Sequence, residues 1–313
     1  MIKIRKSEDA EENDLTFFYN FEKNFEEGEL FTFELSDCVF DTIHNVFDMV
    51  YESQEEYWFT SRPTFSGISR LKIFKKNEII FDEVIDYDIN HDNLKKFSFL
   101  LLYKGENVPF GPFYEIFHNR QYDNDLFSIE KGDVVVDIGC NTGAFVHYAL
   151  GFNPSKVFCC DADEDCCNLN KKIFKNYNNI FIDDVGIGSS DRKDNFIIEK
   201  KYSGVNCLLQ YNKRVESVDR VKEVKVNTFK NFLERNFIFS IDFLKIDCEG
   251  AEDYIFIEEN EYFIKNFVKK IVVEYHDNRV KILNYLKKLN FEVKEDDFGD
   301  GLLGMFYCLN RNI

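Results

Sequence analysis

The run Val134-Val135-Val136-Asp137-Ile138-Gly139-Cys140-Asn141-Thr142-Gly143-Ala144-Phe145 constrains the fold of this chain more than any other stretch. Three β-branched residues lead to an acid, two glycines punctuate the turn that follows, and Ala144 and Phe145 open a segment with helical spacing. A strand, a tight glycine loop and a helix start make the first half of a βαβ unit, the corner where open α/β sheets bind nucleotides. Gly139 lets the chain turn off the strand, and Gly143 lets helix and ligand approach with no Cβ between them.

The middle position of the loop, Asn141, discriminates between ligands. A dinucleotide fingerprint has glycine there so that the backbone reaches the pyrophosphate, and the side chain of Asn141 opposes a nicotinamide-dependent oxidoreductase. The spacing of Asp137, Gly139 and Gly143 instead resembles the first motif of the S-adenosylmethionine-dependent methyltransferases. That ligand has no phosphate to cradle. Its ammonium can meet Asp137 or nearby carbonyls, and its ribose calls for a carboxylate downstream. The expected cofactor contacts in this loop are Asp137, Gly139, Asn141, Gly143 and Phe145.

A formal net charge of −18 over 313 residues repels a phosphate backbone, and no basic run forms a patch against it. Nucleic acid is therefore excluded as an expected partner. The nine cysteines are odd in number and lack paired C-x-x-C spacing, which argues for reduced, buried thiols in a cytoplasmic protein and against a disulfide framework or a zinc site. No spacing demands a metal site, although Asp247, Glu249 and Glu274 could gather a hard cation. The first residues lack the apolar core of a signal peptide, and no apolar run is long enough to span a bilayer.

Two domains are expected, 1–112 and 113–313. The first carries no recognisable motif. Residues 29–35 alternate like a strand, and Phe40, Ile43, Phe47, Val50 and Tyr51 recur at helical spacing. Residues 71–74 and 79–81 read as a hairpin across Lys75-Lys76-Asn77-Glu78. A small α+β module results. It is expected to serve as an accessory or self-association unit or as a substrate cap, because Tyr57, Trp58 and Phe59 suit either an interface or a sugar platform. Val108-Pro109-Phe110-Gly111-Pro112 is the expected hinge.

Beyond it, strands and helices alternate, the mark of a parallel sheet. A short helix at 113–120 precedes strands at 133–138, 156–160, 179–182, 241–246 and 270–275. Helices are expected at 164–175, 251–258 and 280–289. Segments 195–198 and 221–226 suggest an inserted hairpin, and 291–294 with 302–308 a closing antiparallel hairpin.

Asp161 ends the second of these strands beside the glycine loop, where a carboxylate accepts both ribose hydroxyls. Asp163 and Asp165 read as acids at a helix N-terminus. Asp184 is placed to take the adenine amino group, with the backbone of Val185 reading the ring edge; the alternative is an ordinary acidic turn. In Ile241-Asp242-Phe243-Leu244-Lys245-Ile246-Asp247-Cys248-Glu249-Gly250-Ala251-Glu252, the residues Lys245, Asp247 and Glu249 alternate up to the C-terminal edge of a buried strand. Charge there is costly unless a site uses it.

Together the two motifs resemble the FkbM-type methyltransferases, supported by Asn227-Thr228-Phe229 and by Ile271-Val272-Val273-Glu274-Tyr275-His276. The resemblance spans roughly 113–310. It implies an α/β, Rossmann-like class I methyltransferase sheet, mostly parallel with an antiparallel last strand, S-adenosylmethionine as cofactor, and a hydroxyl of a sugar, sugar nucleotide or related small molecule as acceptor. Asp161-Ala162 stands where the family generally has Glu-Pro, and Cys140 where alanine is usual. Methyl transfer from a sulfonium to an alcohol needs alignment and a base. His276 and Asp247 are the candidates for the base, with Glu249, Glu252 and Lys245 binding the acceptor or orienting the base. The competing class is a non-catalytic, methyltransferase-like module that binds nucleotide or scaffolds an assembly.

Overall fold

A computed structural model describes residues 15–19, 28–37, 42–50, 57–61, 68–86, 110–117, 120–122, 127–199, 206–210, 218–299 and 301–313. Two compact units divide the chain, Met1–Phe110 and Gly111–Ile313.

In the first unit the described elements are strands: β1 (Leu15–Tyr19), β2 (Leu30–Asp37), β3 (Thr42–Val50), β4 (Tyr57–Ser61), β5 (Ile68–Lys75) and β6 (Glu78–Asp86). An antiparallel sheet runs β3-β2-β5-β6, and β1 pairs with β4. Phe31, Phe33 and Leu35 alternate along β2 and are buried with Leu71 and Ile73 of β5, the period of a strand with one covered face. The expected hairpin forms, and Lys76 and Asn77 take positive φ of 49° and 68°, as a two-residue turn matched to strand twist requires. The helix expected from Phe40 to Tyr51 does not form. Thr42–Val50 is instead a strand in antiparallel register with β2, Phe47 opposite Phe33, because Thr42, Ile43, Val46 and Val50 favour a pleated neighbour and the sheet supplies one. Phe40 and Tyr51 lie outside the described residues, as do Val108 and Pro109 of the expected hinge.

Helix α1 (Phe110–Phe117) spans the boundary between the units, and Gly111 and Pro112 occupy its first turn. There the missing N–H of proline costs nothing. Then come β7 (Val134–Ile138), α2 (Ala144–Leu150), β8 (Lys156–Cys160), α3 (Glu164–Ile173), β9 (Ile180–Asp183), β10 (Gly186–Ile187), β11 (Arg192–Glu199), β12 (Cys207–Leu208) and β13 (Val218–Asn227). The chain continues through α4 (Phe229–Arg235), β14 (Ile241–Ile246), α5 (Glu261–Phe267), β15 (Val268–His276), α6 (Arg279–Lys288), β16 (Phe291–Asp297) and β17 (Leu303–Asn310). Helices α4 and α5 had no expected counterpart.

The main sheet runs β16-β17-β15-β14-β7-β8-β9. Strands β7, β8, β9, β14 and β15 are parallel, and β17 is antiparallel to its neighbours β15 and β16. The fold is therefore the expected Rossmann-like α/β sheet. Val136, Ile138, Leu244, Ile246, Ile271 and Val273 form its core with Phe232, Ile282 and Leu286 of the helices; strands covered on both faces read as unbroken apolar runs for this reason. Each such side chain contributes about 1.5–3 kcal/mol by leaving water. Strand order reverses between β7 and β14, and such a switch point opens a crevice at the strands' C-terminal ends.

The inserted hairpin is larger than expected. Strands β11 and β13 pair antiparallel, and β12 and β10 extend them into a second sheet, β10-β13-β11-β12. The helix expected over 251–258 is two short 3-10 turns, Ala251–Tyr254 and Glu258–Asn260. Glu252 is fully buried and turns its carboxylate back onto the N–H groups of Cys248 and Gly250 at 3.2 and 3.1 Å. A buried acid takes the donors within reach. All eight described cysteines are free. Among the described residues no helix is long and apolar enough to cross a membrane.

Candidate active site

A cavity of about 320 Å³ opens at the switch point, lined from the ends of β7, β8, β14 and β15 and from the second sheet. The glycine loop forms its floor. Gly139 has φ 80°, and a Cβ on it would stand 1.7 Å from the Asp247 carbonyl oxygen. Its N–H and that of Cys140 donate to the Cys160 carbonyl at 3.0 and 3.1 Å, which ties the loop to β8. Gly143 has φ 83°, and a Cβ there would meet Asn170 Oδ1 at 2.2 Å. Asn170, buried on α3, donates Nδ2 to the Asn141 carbonyl at 2.8 Å. Both glycines are thus required by close approach as well as by φ.

Asp161 follows β8 and lines the cavity. Its Oδ2 accepts the Asn141 N–H and its Oδ1 the Asp163 N–H, each at 2.8 Å. Burial pushes the carboxyl up to about 6, against the pull of those two N–H groups. Ala162, Val185, Ile187, Phe196 and Leu208 add an apolar wall. Asp163 caps α3 by accepting the Asp165 N–H at 2.9 Å. Asp184 turns away from the cavity, pairing with Lys225 at 2.7 Å and Lys171 at 3.7 Å.

The opposite side is ionic. Asp137 and Lys245 sit side by side on β7 and β14, both buried, with Lys245 Nζ 3.0 Å from Asp137 Oδ1 and donating to the Gly139 carbonyl at 2.7 Å. Burial opposes the ammonium's charge, but Asp137 and Asp247 outweigh it and hold Lys245 above the usual lysine range. Tyr122 donates its hydroxyl to Asp247 Oδ2 at 2.9 Å, and the same oxygen lies 3.3 Å from Glu274 Oε2. Burial, aided by the Asp247 charge, pushes the Glu274 carboxyl up to about 8.

His276 is the last residue of β15 and is 7% exposed. Its Nδ1 lies 3.1 Å from Glu252 Oε1, and its Nε2 lies 3.4 Å from Glu249 Oε2 and 3.8 Å from Glu274 Oε1. Asn278 Nδ2 donates to the second Glu252 oxygen at 3.1 Å. Burial alone would lower the imidazole, but Glu252 and Glu249 hold it well above the usual histidine range.

Of the residues singled out from sequence, Gly139, Asn141, Phe145, Asp161, Ala162, Val185, Lys245, Asp247 and Glu249 line this one cavity. Asp137, Glu252 and His276 stand behind the lining, and Gly143 supports the loop from beneath. Among the other histidines, His147 is buried on α2, and burial lowers its imidazole to about 3. Sequence reasoning missed Tyr122, Asn170, Phe196 and Leu208. Only Asn170 carried a signal, a polar residue on the helix face that also bears Cys167 and Ile173. The other three reach the site through tertiary packing.

The model of the methyltransferase FkbM domain matches residues 133–293, just over half of the chain. No curated protein matches. Among solved structures, M. capricolum TrmK in complex with S-adenosylhomocysteine is 12% identical, covering 59% of this chain and 64% of that one at a TM-score of 0.35. Precorrin-6y C5,15-methyltransferase from Geobacter metallireducens is 10% identical over 59% and 82%, with a TM-score of 0.35. Precorrin 8w decarboxylase of Methanobacterium thermoautotrophicum is 14% identical over 58% and 84%, with a TM-score of 0.33.

Proposed function

This chain belongs to the FkbM family of S-adenosylmethionine-dependent methyltransferases, and from that premise we propose that it methylates a hydroxyl of a small polyhydroxylated acceptor such as a sugar. The observation that carries this reading is the division of the cavity into a nucleoside half and an acidic half. The nucleoside half fits the cofactor by its donor set. Asp161 presents a carboxylate already oriented by two N–H groups, suited to ribose hydroxyls. Val185, Ile187, Phe196 and Leu208 offer the apolar slot an adenine needs. With Asp137 engaged by Lys245, loop carbonyls are left to receive the amino-acid end.

When bound, the cofactor supplies a methyl group already activated as a sulfonium. The chain's own task is to align the acceptor, worth about 7–11 kcal/mol of barrier, and to take a proton. Asp247 and Glu274, joined through the Tyr122 hydroxyl, face the acceptor side and receive that proton, while Glu249 binds neighbouring hydroxyls. His276 and Glu252 hold this edge in place from behind. The acidic lining repels phosphate, which favours a free or neutral glycan over a sugar nucleotide or RNA.

The test pairs calorimetric titration with S-adenosylhomocysteine and transfer of an isotopically labelled methyl group to a panel of sugars, amines and RNA. Labelled ether on a sugar hydroxyl is expected. Label found only on nitrogen or on RNA would refute the hydroxyl assignment, and no heat with S-adenosylhomocysteine would refute the site.

A further inference from the structure

One cluster at the acidic end of the cavity holds more ligand atoms than proton removal requires. Asp247, Glu249 and His276 each offer one donor atom, and these atoms all lie within 4.8 Å of one another. The His276 side chain is 5% exposed, and among the described residues its Nε2 makes no hydrogen bond. That nitrogen faces Glu249 and Glu274. Its partner Nδ1 is fixed by Glu252, whose carboxylate is in turn held by the Gly250 N–H at 3.1 Å and by Asn278. A carboxylate behind the ring, with the far nitrogen turned towards further acids, is the outer shell that orients metal-binding histidines.

We propose that Asp247, Glu249 and His276 bind one divalent cation. Two carboxylate oxygens and one imidazole suit an ion of intermediate hardness, Mn2+ or Zn2+, better than a purely oxygen-seeking one. Three protein ligands leave coordination positions open, and Asp247 and Glu249 place them on the cavity. An acceptor with two adjacent hydroxyls fills those positions, so the site selects vicinal diols. This role rests on the methyl-transfer reading; the binding of the ion does not. In the transfer, the coordinated hydroxyl gives its proton to the Glu274 carboxylate in its ionised form, which the positive charge of the neighbouring cation favours. The oxygen's electron pair forms the new bond to the methyl carbon as the carbon–sulfur bond breaks, and that bond's electron pair stays on sulfur as S-adenosylhomocysteine.

The full chain, stripped with a chelator, is titrated with Mn2+ while the paramagnetic resonance signal of the free ion is followed, and in parallel with S-adenosylhomocysteine by calorimetry. The expected result is one Mn2+ per chain, displaced by Zn2+. Glu249→Gln and Asp247→Asn each weaken Mn2+ binding by about tenfold or more, while Glu249→Gln keeps its affinity for S-adenosylhomocysteine, which shows that it is folded. Absence of saturable Mn2+ or Zn2+ binding, or binding indifferent to both substitutions, overturns the proposal. If the nucleoside binds and no cation does, the cation site falls and the methyltransferase reading stands. If Mn2+ binds in the expected manner and the nucleoside does not, the cation site stands and the methyl-transfer role assigned to it falls.

Discussion

Lys245 stands directly opposite Asp137 on the neighbouring parallel strand, and their side chains close a 3.0 Å ion pair beneath the glycine loop. Neither is open to solvent, so each charge depends on the other. Breaking a buried pair from one side costs about 3–5 kcal/mol because it strands a charge, whereas replacing both partners with apolar groups often costs little. Lys245→Met is expected to lose stability of that order in urea denaturation. Adding Asp137→Leu to it should restore part of the loss, and a double-mutant cycle measures the coupling.

Gly139→Ala should be more damaging than its size suggests. The new Cβ would stand 1.7 Å from a backbone oxygen at φ 80°, and left-handed backbone alone costs roughly 1–2 kcal/mol outside glycine. Loop and β14 terminus must separate to accommodate it. Calorimetry should show at least about tenfold weaker S-adenosylhomocysteine binding, because 1.4 kcal/mol is tenfold, together with a lowered denaturation midpoint.

Asp161 predicts a pH dependence with a definite sign. Its carboxyl is pushed up to about 6, so it is protonated below that pH and loses acceptor capacity for ribose. Affinity for S-adenosylhomocysteine is expected to hold above pH 6 and to fall as the pH drops through it. For folding the sign is opposite: a carboxyl raised above its unfolded value of about 3.9 favours the fold below that value, and this contribution is lost as pH rises towards 6. Asp161→Asn should bind the nucleoside roughly tenfold to a hundredfold more weakly, from about 1.5–3 kcal/mol per charge-assisted hydrogen bond. It should also flatten the pH profile.

Tyr122→Phe removes one hydroxyl shared by Asp247 and Glu274 and keeps the ring against Phe145. If this hydroxyl orients the proton acceptor, kcat should fall by about tenfold, from the loss of a hydrogen bond to a charged group. Affinity for S-adenosylhomocysteine should stay unchanged. A fall in cofactor affinity with kcat intact would assign Tyr122 to the other half of the cavity.

The parallel sheet was legible because each strand carries its own signal. Lys156–Cys160 and Ile241–Ile246 coincide with the expected bounds, since β-branched and apolar runs buried on two faces need no partner to be recognised. Where two periods fit the same residues, pattern alone misled. Phe40, Ile43, Phe47 and Val50 satisfy helical spacing, yet β2 offers Thr42–Val50 an open edge. Over 251–258 the helical pattern was realised only as two short 3-10 turns.

What the sequence determined by itself was local: the glycine turn, the strand and helix alternation, and the acids at strand ends, because φ preference and hydrophobic period act over a few residues. Tertiary structure decided who faces whom. It set Lys245 against Asp137, brought Tyr122 to Asp247, turned Asp184 outward to Lys225, and lent the cavity a wall from Phe196 and Leu208. Those choices follow from strand register and from the need to pair every buried charge, and both depend on partners far along the chain.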